Sequence, residues 1–326
     1  MTGRETIKIV LKMGFGLALL CFLLQRADMR RVLSIIVQVS PLPLLYALVA
    51  KVAGTLAQAA RWQLLLQSSA RKLRFLTLLR ITLASRFINL FLPGQIGGDL
   101  YRVVGVYRQE AKTPLRHPDS RQGLLQSTGV VLLERYLSLI ASLLMAGAAI
   151  AASGFIASSP VLSWFVVALL AATLSSLLPV IRSPFFALAK KFSPKWQEQV
   201  ARTEAALGDV VGDLPLLGRF LGVSLMMNGT TILQIYFLAQ ALGLAVPLAQ
   251  LAFFMPLFNL ACAIPISINS LGVREASLIA FFNRTGLPQD KVTGLAFLLL
   301  VWLYLTDAPN GFLLLTEPLK RAPTEP

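Results

Sequence analysis

The sequence predicts an all-α fold, a polytopic bundle of transmembrane helices with about six full spans and two re-entrant hairpins arranged as an inverted repeat. Three observations carry that expectation. Of the 326 residues, 56% are hydrophobic and 14% charged, against about 25% charged in soluble domains, so the apolar surface is too large to hide in water. Several windows reach the ~20 apolar residues that a helix needs to cross a hydrocarbon core. Two further apolar stretches are broken by proline and glycine and carry arginines. Residues 1–326 are read as a single integral membrane domain.

The elements follow in order. The window 7–24 comes after Arg4 and includes Lys8 and Lys12 at its start, which superficially resembles a signal peptide. Gln25, Arg26, Ala27 and Asp28 follow it where a small-x-small cleavage site would stand, so it is an uncleaved first span. Residues 42–60, 129–152, 161–181, 220–242 and 296–315 are the other full spans, and 75–100 and 251–282 are the interrupted stretches. Between 182 and 213, Trp196, Val200, Leu207 and Val211 recur at helical spacing beside Lys190, Lys191 and Lys195. That suits a short helix on the headgroups, or a connector that touches the bundle.

Loop charge gives the topology. The formal net charge is +15, but the Lys and Arg residues are scattered through short loops. This is a topology signal and no nucleic-acid surface; the natural partner of such loops is an anionic lipid surface. The loop 153–160 is uncharged, whereas 102–121 and 182–202 carry five basic residues each, and 61–74 includes Arg71 and Lys72. Basic loops belong in the cytoplasm. The stretch 75–100 then enters and leaves on one side, and 251–282 does the same from the other. The order span, span, hairpin, span is repeated upside down, with pseudo-repeats at about 7–152 and 160–317. Inverted repeats mark transporters, whose substrate sites lie at broken helices. Both termini fall in the cytoplasm, although Arg26, Arg30 and Arg31 would lie outside. The expected location is a bacterial cytoplasmic (inner) membrane, and self-association is left open.

The repeat has a trace in spacing. The segment from Phe91 to Arg102 aligns without gaps on the segment from Ala263 to Arg274, each arginine following its proline, Pro93 or Pro265, by nine residues. Counting 42 residues from each proline reaches Arg135 and Asp307. Non-helical backbone at membrane depth is tolerated only inside protein or beside a wet cavity. Half-helix N-termini there suit anions, and Arg102 and Arg274 add fork-shaped donors for phosphate or carboxylate.

Further charges sit within the apolar stretches: Lys51, Arg86, Glu134, Arg135, Glu275 and Asp307. Each costs about 2.5–3.5 kcal/mol at a helix centre, so they should face the bundle interior. There they receive a headgroup, balance charge or relay protons, or else pair merely to hold helices together. Catalytic patterns are poor. Cys21 and Cys262 are far apart, and His117 is the sole histidine. The sequence has no Cys/His metal cluster, no P-loop and no Gly-x-Ser-x-Gly elbow. No cofactor is expected. Asp99 and Glu134 are the only candidate carboxylate pair, and transport outranks catalysis.

At these residues the sequence resembles the lysylphosphatidylglycerol synthase transmembrane, or flippase-like, family. The resemblance rests on Arg61-Trp62, on the run from Asn89 to Arg102 with its Pro-Gly-x-x-Gly-Gly element, on Glu134-Arg135, and on the run from Ile264 to Glu275. It spans about residues 7–317. It implies a lipid-translocating domain with two re-entrant helices and a central cavity for headgroups. Some relatives add an aminoacyl-transferase domain, an activity not expected of a chain ending at Pro326. On the residues' own chemistry, those expected to meet substrate are Arg86, Asn89, Pro93, Gly97, Gly98, Asp99, Arg102, Arg135, Asn269, Gly272 and Arg274. Lys51, Glu134, Glu275 and Asp307 balance charge or relay protons. Asn269 and Ser270 replace the Gly-Gly of the first motif.

Overall fold

The structure is a computed structural model that describes residues 39–68, 73–92, 96–110, 120–153, 160–175, 177–178, 187, 197–264, 267, 269–283 and 285–316. The expected first span, residues 7–24, and the two motif prolines, Pro93 and Pro265, lie outside the described residues. Every regular element within them is helical: α1 Pro41–Ser68, α2 Phe75–Asn89, α3 Ile96–Glu110, α4 Ser120–Ser153, α5 Pro160–Ser175, α6 Gln197–Gly212, α7 Leu214–Ala241, α8 Leu248–Ala263, α9 Val273–Phe282 and α10 Gln289–Asp307. A 3-10 turn, Ala308–Gly311, and the short α11, Phe312–Thr316, follow α10.

Four stretches are long and apolar enough to cross a membrane: Pro41–Leu66, Val130–Ala152, Leu214–Ala241 and Gln289–Leu314. The shortest has 23 residues, or about 34 Å at the α-helical rise of ~1.5 Å per residue. They coincide with four of the expected spans. The span expected at 161–181 is a helix only to Ser175, with 16 residues. Outward faces are apolar where lipid would lie, as at Leu45, Val49 and Val52 on α1 and Val161, Trp164 and Phe165 on α5.

One expectation is corrected at the end of α1. Residues 61–74 were read as a basic loop, but the helix continues through Ser68 and Arg61 is 4% exposed inside it. The charge is tolerated because Glu134 of α4 meets it. Arg102, counted with the following basic loop, is likewise buried inside α3.

The two interrupted stretches become two pairs of shorter helices, α2 with α3 and α8 with α9. α1 and α7 lie against each other so closely that a Cβ at Gly54 would come 2.7 Å from Thr230 Oγ1. Ala47, Ile232 and Leu238 share one core with Leu295 and Leu298 of α10. A second core joins Trp62, Leu78, Val106 and Leu137 to Phe220 and to Leu207 and Val210 of α6. The 182–213 segment thus ends in a helix whose apolar face packs on the bundle; Trp196 lies outside the described residues. At the start of α7 the Asp213 carboxylate accepts from Leu216 N–H at 3.0 Å, with Pro215 beside it. Both features end the preceding chain and open the span.

The breaks are built differently. Between α2 and α3, Asn89 Oδ1 accepts the Gly98 N–H at 2.6 Å. A Cβ on Gly98 would collide with that Asn89 side chain and one on Gly97 with Leu92. Between α8 and α9 the backbone turns through left-handed conformations at Asn269 (φ 48°), Ser270 (φ 56°) and Gly272 (φ 80°). The Ser270 hydroxyl donates to Cys262 O at 2.7 Å, and Glu275 Oε2 accepts the Gly272 N–H at 2.6 Å. The two breaks touch: Asn269 N–H donates to Leu92 O at 3.1 Å.

Candidate functional site

Seven helices, α1 to α4, α7, α8 and α10, turn polar residues toward one cavity of about 630 Å³. Helical periodicity explains how. On α1 the lining residues Lys51, Gly54, Gln58 and Arg61 recur at three- and four-residue steps, and on α4 Glu134, Ser138 and Ser142 recur at four. α2 contributes Ser85, Arg86 and Asn89, α3 Asp99 and Arg102, and α10 Asp307. α7 adds Asn228, Thr231 and Gln234, and α8 adds Asn259.

Two charge clusters stand in this cavity. In the first, Glu134 is 1% exposed and holds two arginines at once: Arg61 Nη2 lies 2.6 Å from Oε1 and Arg102 Nη2 2.5 Å from Oε2. Arg102 Nη1 also lies 3.6 Å from Asp99 Oδ1, and Asp99 pairs in turn with Arg135. Arg61 donates to Ser138 Oγ at 2.8 Å. The Arg102 guanidinium stacks on the Trp62 ring at 4.3 Å, and Arg61 sits 5.7 Å from the Phe220 ring centre. Such faces hold a weakly hydrated guanidinium without removing its charge.

In the second cluster one acid serves two bases. Lys51 Nζ is 3.0 Å from Asp307 Oδ1, and Arg86 Nη1 is 3.8 Å from the same oxygen. Arg86 Nη2 is held by Gln58 Oε1 at 2.8 Å. Asp307 is the last residue of α10, where the 3-10 turn with Pro309 begins. Gly311 of that turn lies against Phe87 of α2 so closely that a Cβ would come 2.6 Å from the ring. This close packing brings the end of α10 to Arg86.

Among the described residues the lining therefore carries five cations, Lys51, Arg61, Arg86, Arg102 and Arg135, against three acids, Asp99, Glu134 and Asp307. Two positive charges are in excess. Arg61 and Arg102 are buried and Lys51 and Arg86 partly so, while Arg135 is exposed; charge so shielded from water attracts an anion more strongly than the same charge on a surface.

Of the residues read from the sequence, Lys51, Arg86, Asn89, Asp99, Arg102, Glu134, Arg135 and Asp307 meet at the cavity. Arg135 and Asp307, picked by equal spacing from the two prolines, are both there. Gly97 and Gly98 are buried behind it and let α2 and α3 approach. Asn269, Gly272, Arg274 and Glu275 are not among the lining residues. Glu275 Oε2 caps the start of α9 by accepting the Gly272 N–H at 2.6 Å, and Arg274 Nη2 donates to Asn269 O at 3.2 Å. Arg102 is thus a lining residue, whereas Arg274 donates to its own loop at the edge of the α8–α9 turn. Pro93 and Pro265 lie outside the described residues. Asp99 and Glu134 share the Arg102 guanidinium, which puts them within the ~10 Å limit for acid/base cooperation. Both Glu134 oxygens are nonetheless taken by arginines.

Gln58, Arg61, Asn228, Gln234 and Asn259 line the cavity and were not singled out as site residues. The available signal was spacing: Gln58 and Arg61 lie seven and ten residues after Lys51 on one helical face. Carboxamides inside apolar spans are a similar signal. Among the described residues no group of three or more His, Cys, Asp or Glu side chains is placed to hold a metal ion.

No curated protein matches the chain. The family described as lysylphosphatidylglycerol synthase TM region matches over residues 9–306. That match covers nearly the whole helical bundle and every described lining residue except Asp307, and the chain belongs to this family of membrane domains.

Proposed function

We propose that this protein moves a lipid with an anionic headgroup between the leaflets, as a flippase or scramblase, by passing the headgroup through the cavity. The observation that carries the reading is the excess of two cations in a 630 Å³ space bounded by helices long enough to span the membrane. A phosphate there would find fork-shaped donors from Arg86, Arg102 and Arg135. The apolar lining from Leu139, Met227, Met255 and Leu303 suits the first part of an acyl or polyprenyl chain. Family membership supports a lipid-related role.

The re-entrant and inverted-repeat readings belong to the same proposal. Long helix, short pair, long helix occurs twice, as α1 to α4 and as α7 to α10. The hydrogen bond from Asn269 to Leu92 suits two hairpins that enter from opposite faces and meet at mid-depth. The chain would sit in a bacterial cytoplasmic membrane with both termini inside. Without a P-loop, uphill movement would draw on an ion gradient or a downstream sink.

A transferase using Asp99 and Glu134 is the less favoured reading, because a general base needs a free oxygen facing substrate and Glu134 has none to spare. A non-catalytic partner protein would call for complete mutual neutralisation of the buried charges, which the cation excess opposes. The deciding experiment is reconstitution of purified protein in liposomes with tail-labelled anionic lipid. Transport is expected, slowed strongly by Arg102→Ala. Absence of movement in either direction, or a variant equal to wild type, would sink the proposal.

A further inference from the structure

Two of the seven helices around the cavity bring no charge to it. α7 presents Asn228 and Gln234, α8 presents Asn259, and their remaining lining residues are Thr231 or apolar. Carboxamides inside spans are costly unless bonded. Asn228 is 3% exposed, and its Nδ2 has no hydrogen-bond partner among the described residues. Ser142 Oγ, on the neighbouring α4 wall, is 2% exposed and equally without one. The cavity thus has a charged wall, on α1 to α4 and α10, and a neutral hydrogen-bonding wall, on α7 and α8.

The chemistry of the two walls narrows the ligand. A fully ionised phosphate only accepts hydrogen bonds, so it suits the cations and the unpartnered Asn228 Nδ2, but it offers no donor to the carboxamide oxygens of this wall. An ammonium would supply donors. It would also meet the two surplus positive charges, with all three cavity acids already bound to Lys or Arg. A hydroxyl donates and accepts without charge, as a carboxamide does, and is the remaining complement. We propose that the headgroup is a polyol phosphate, a phosphate carrying several hydroxyls and no amine, of the glycerol-, inositol- or glycosyl-phosphate kind. Its phosphate lies at the arginine wall and its hydroxyls at Asn228, Gln234 and Asn259. This inference rests on the transport reading for its lipid, but its ligand class is testable without transport.

The binding arm uses the detergent-purified full chain, with ligand-induced shifts in thermal unfolding as the readout. Inositol 1-phosphate should bind about tenfold more tightly than inorganic phosphate, the gain of roughly one hydrogen bond properly made. Phosphoethanolamine should bind no better than phosphate. Asn259→Leu and Gln234→Leu should each erase most of the inositol preference and keep phosphate binding, which also reports that the variants are folded. Phosphoethanolamine binding as tightly as inositol 1-phosphate, or more tightly, overturns the inference, as does failure of every probe to bind. So does loss of phosphate and inositol phosphate binding together in folded variants. The transport arm compares tail-labelled phosphatidylinositol, phosphatidic acid and phosphatidylethanolamine in liposomes. Faster movement of phosphatidylinositol supports the inference, and movement with no headgroup preference overturns it while leaving transport intact. If inositol phosphate binds as expected and no lipid moves, the transport reading fails and the ligand class stands.

Discussion

Glu134 is the residue on which the charged wall depends, because two buried arginines have its two oxygens as their counter-ion. Glu134→Gln keeps the shape and removes the charge, leaving Arg61 and Arg102 to repel one another. Loss of one partner from a buried ion pair typically costs about 3–5 kcal/mol, so a clear drop in detergent melting temperature is expected. Glu134→Gln with Arg61→Met should recover much of that loss, since the pair is then removed together. Asp307 behaves in the opposite sense for binding. It occupies Lys51 and Arg86 as a headgroup would, so Asp307→Asn frees two cations and should tighten inorganic phosphate binding several-fold, read by the same thermal shift. Tighter binding that fails to appear would show that Lys51 and Arg86 do not face the ligand. Glu275 shows what sequence reasoning leaves open at this scale. Its charge in an apolar run was plain, yet a carboxylate that caps a helix and one that faces a cavity look alike until the local backbone is known.

At the scale of elements, the α2–α3 junction is tuned by what Gly98 lacks. A methyl group there displaces Asn89, which both lines the cavity and accepts the Gly98 N–H. Gly98→Ala should therefore cost about 1–2 kcal/mol, the usual worth of a helix-end cap, and also slow transport, whereas Gly218→Ala, with open space around it, should do neither. Paired unfolding and liposome measurements separate the two. Gly272, at φ 80°, should resist alanine through backbone strain of about 1–2 kcal/mol. The helices themselves were largely legible, because an apolar run in a charge-poor chain has few other ways to satisfy its backbone. Their ends were not: α1 runs eight residues past the expected Ala60, since Arg61 reads as a loop signal until its partner on α4 is placed. The α7–α8 wall was illegible for a related reason. Asn228, Gln234 and Asn259 carry no charge, and one helix's polar face acquires meaning only from what the other helices bring opposite it.

For the whole molecule, the cavity predicts that single cysteines at Thr231 or Asn259 react with a small membrane-impermeant maleimide, whereas a cysteine at Val166, fully buried, stays silent. Protection of the reactive positions by inositol 1-phosphate would place the ligand, and lack of reaction at all would argue against a wet cavity. The surplus of two positive charges has an electrical consequence as well. If the cavity alternates its opening between the two faces, an empty passage carries that surplus through part of the membrane field, at up to about 2.3 kcal/mol per charge per 100 mV. A phosphodiester headgroup carries one negative charge and cancels half of that surplus, so the filled cavity feels the field less than the empty one. Voltage then acts more on the return of the empty carrier than on the delivery of its cargo, and the membrane potential biases the direction of lipid movement without any ion being transported alongside.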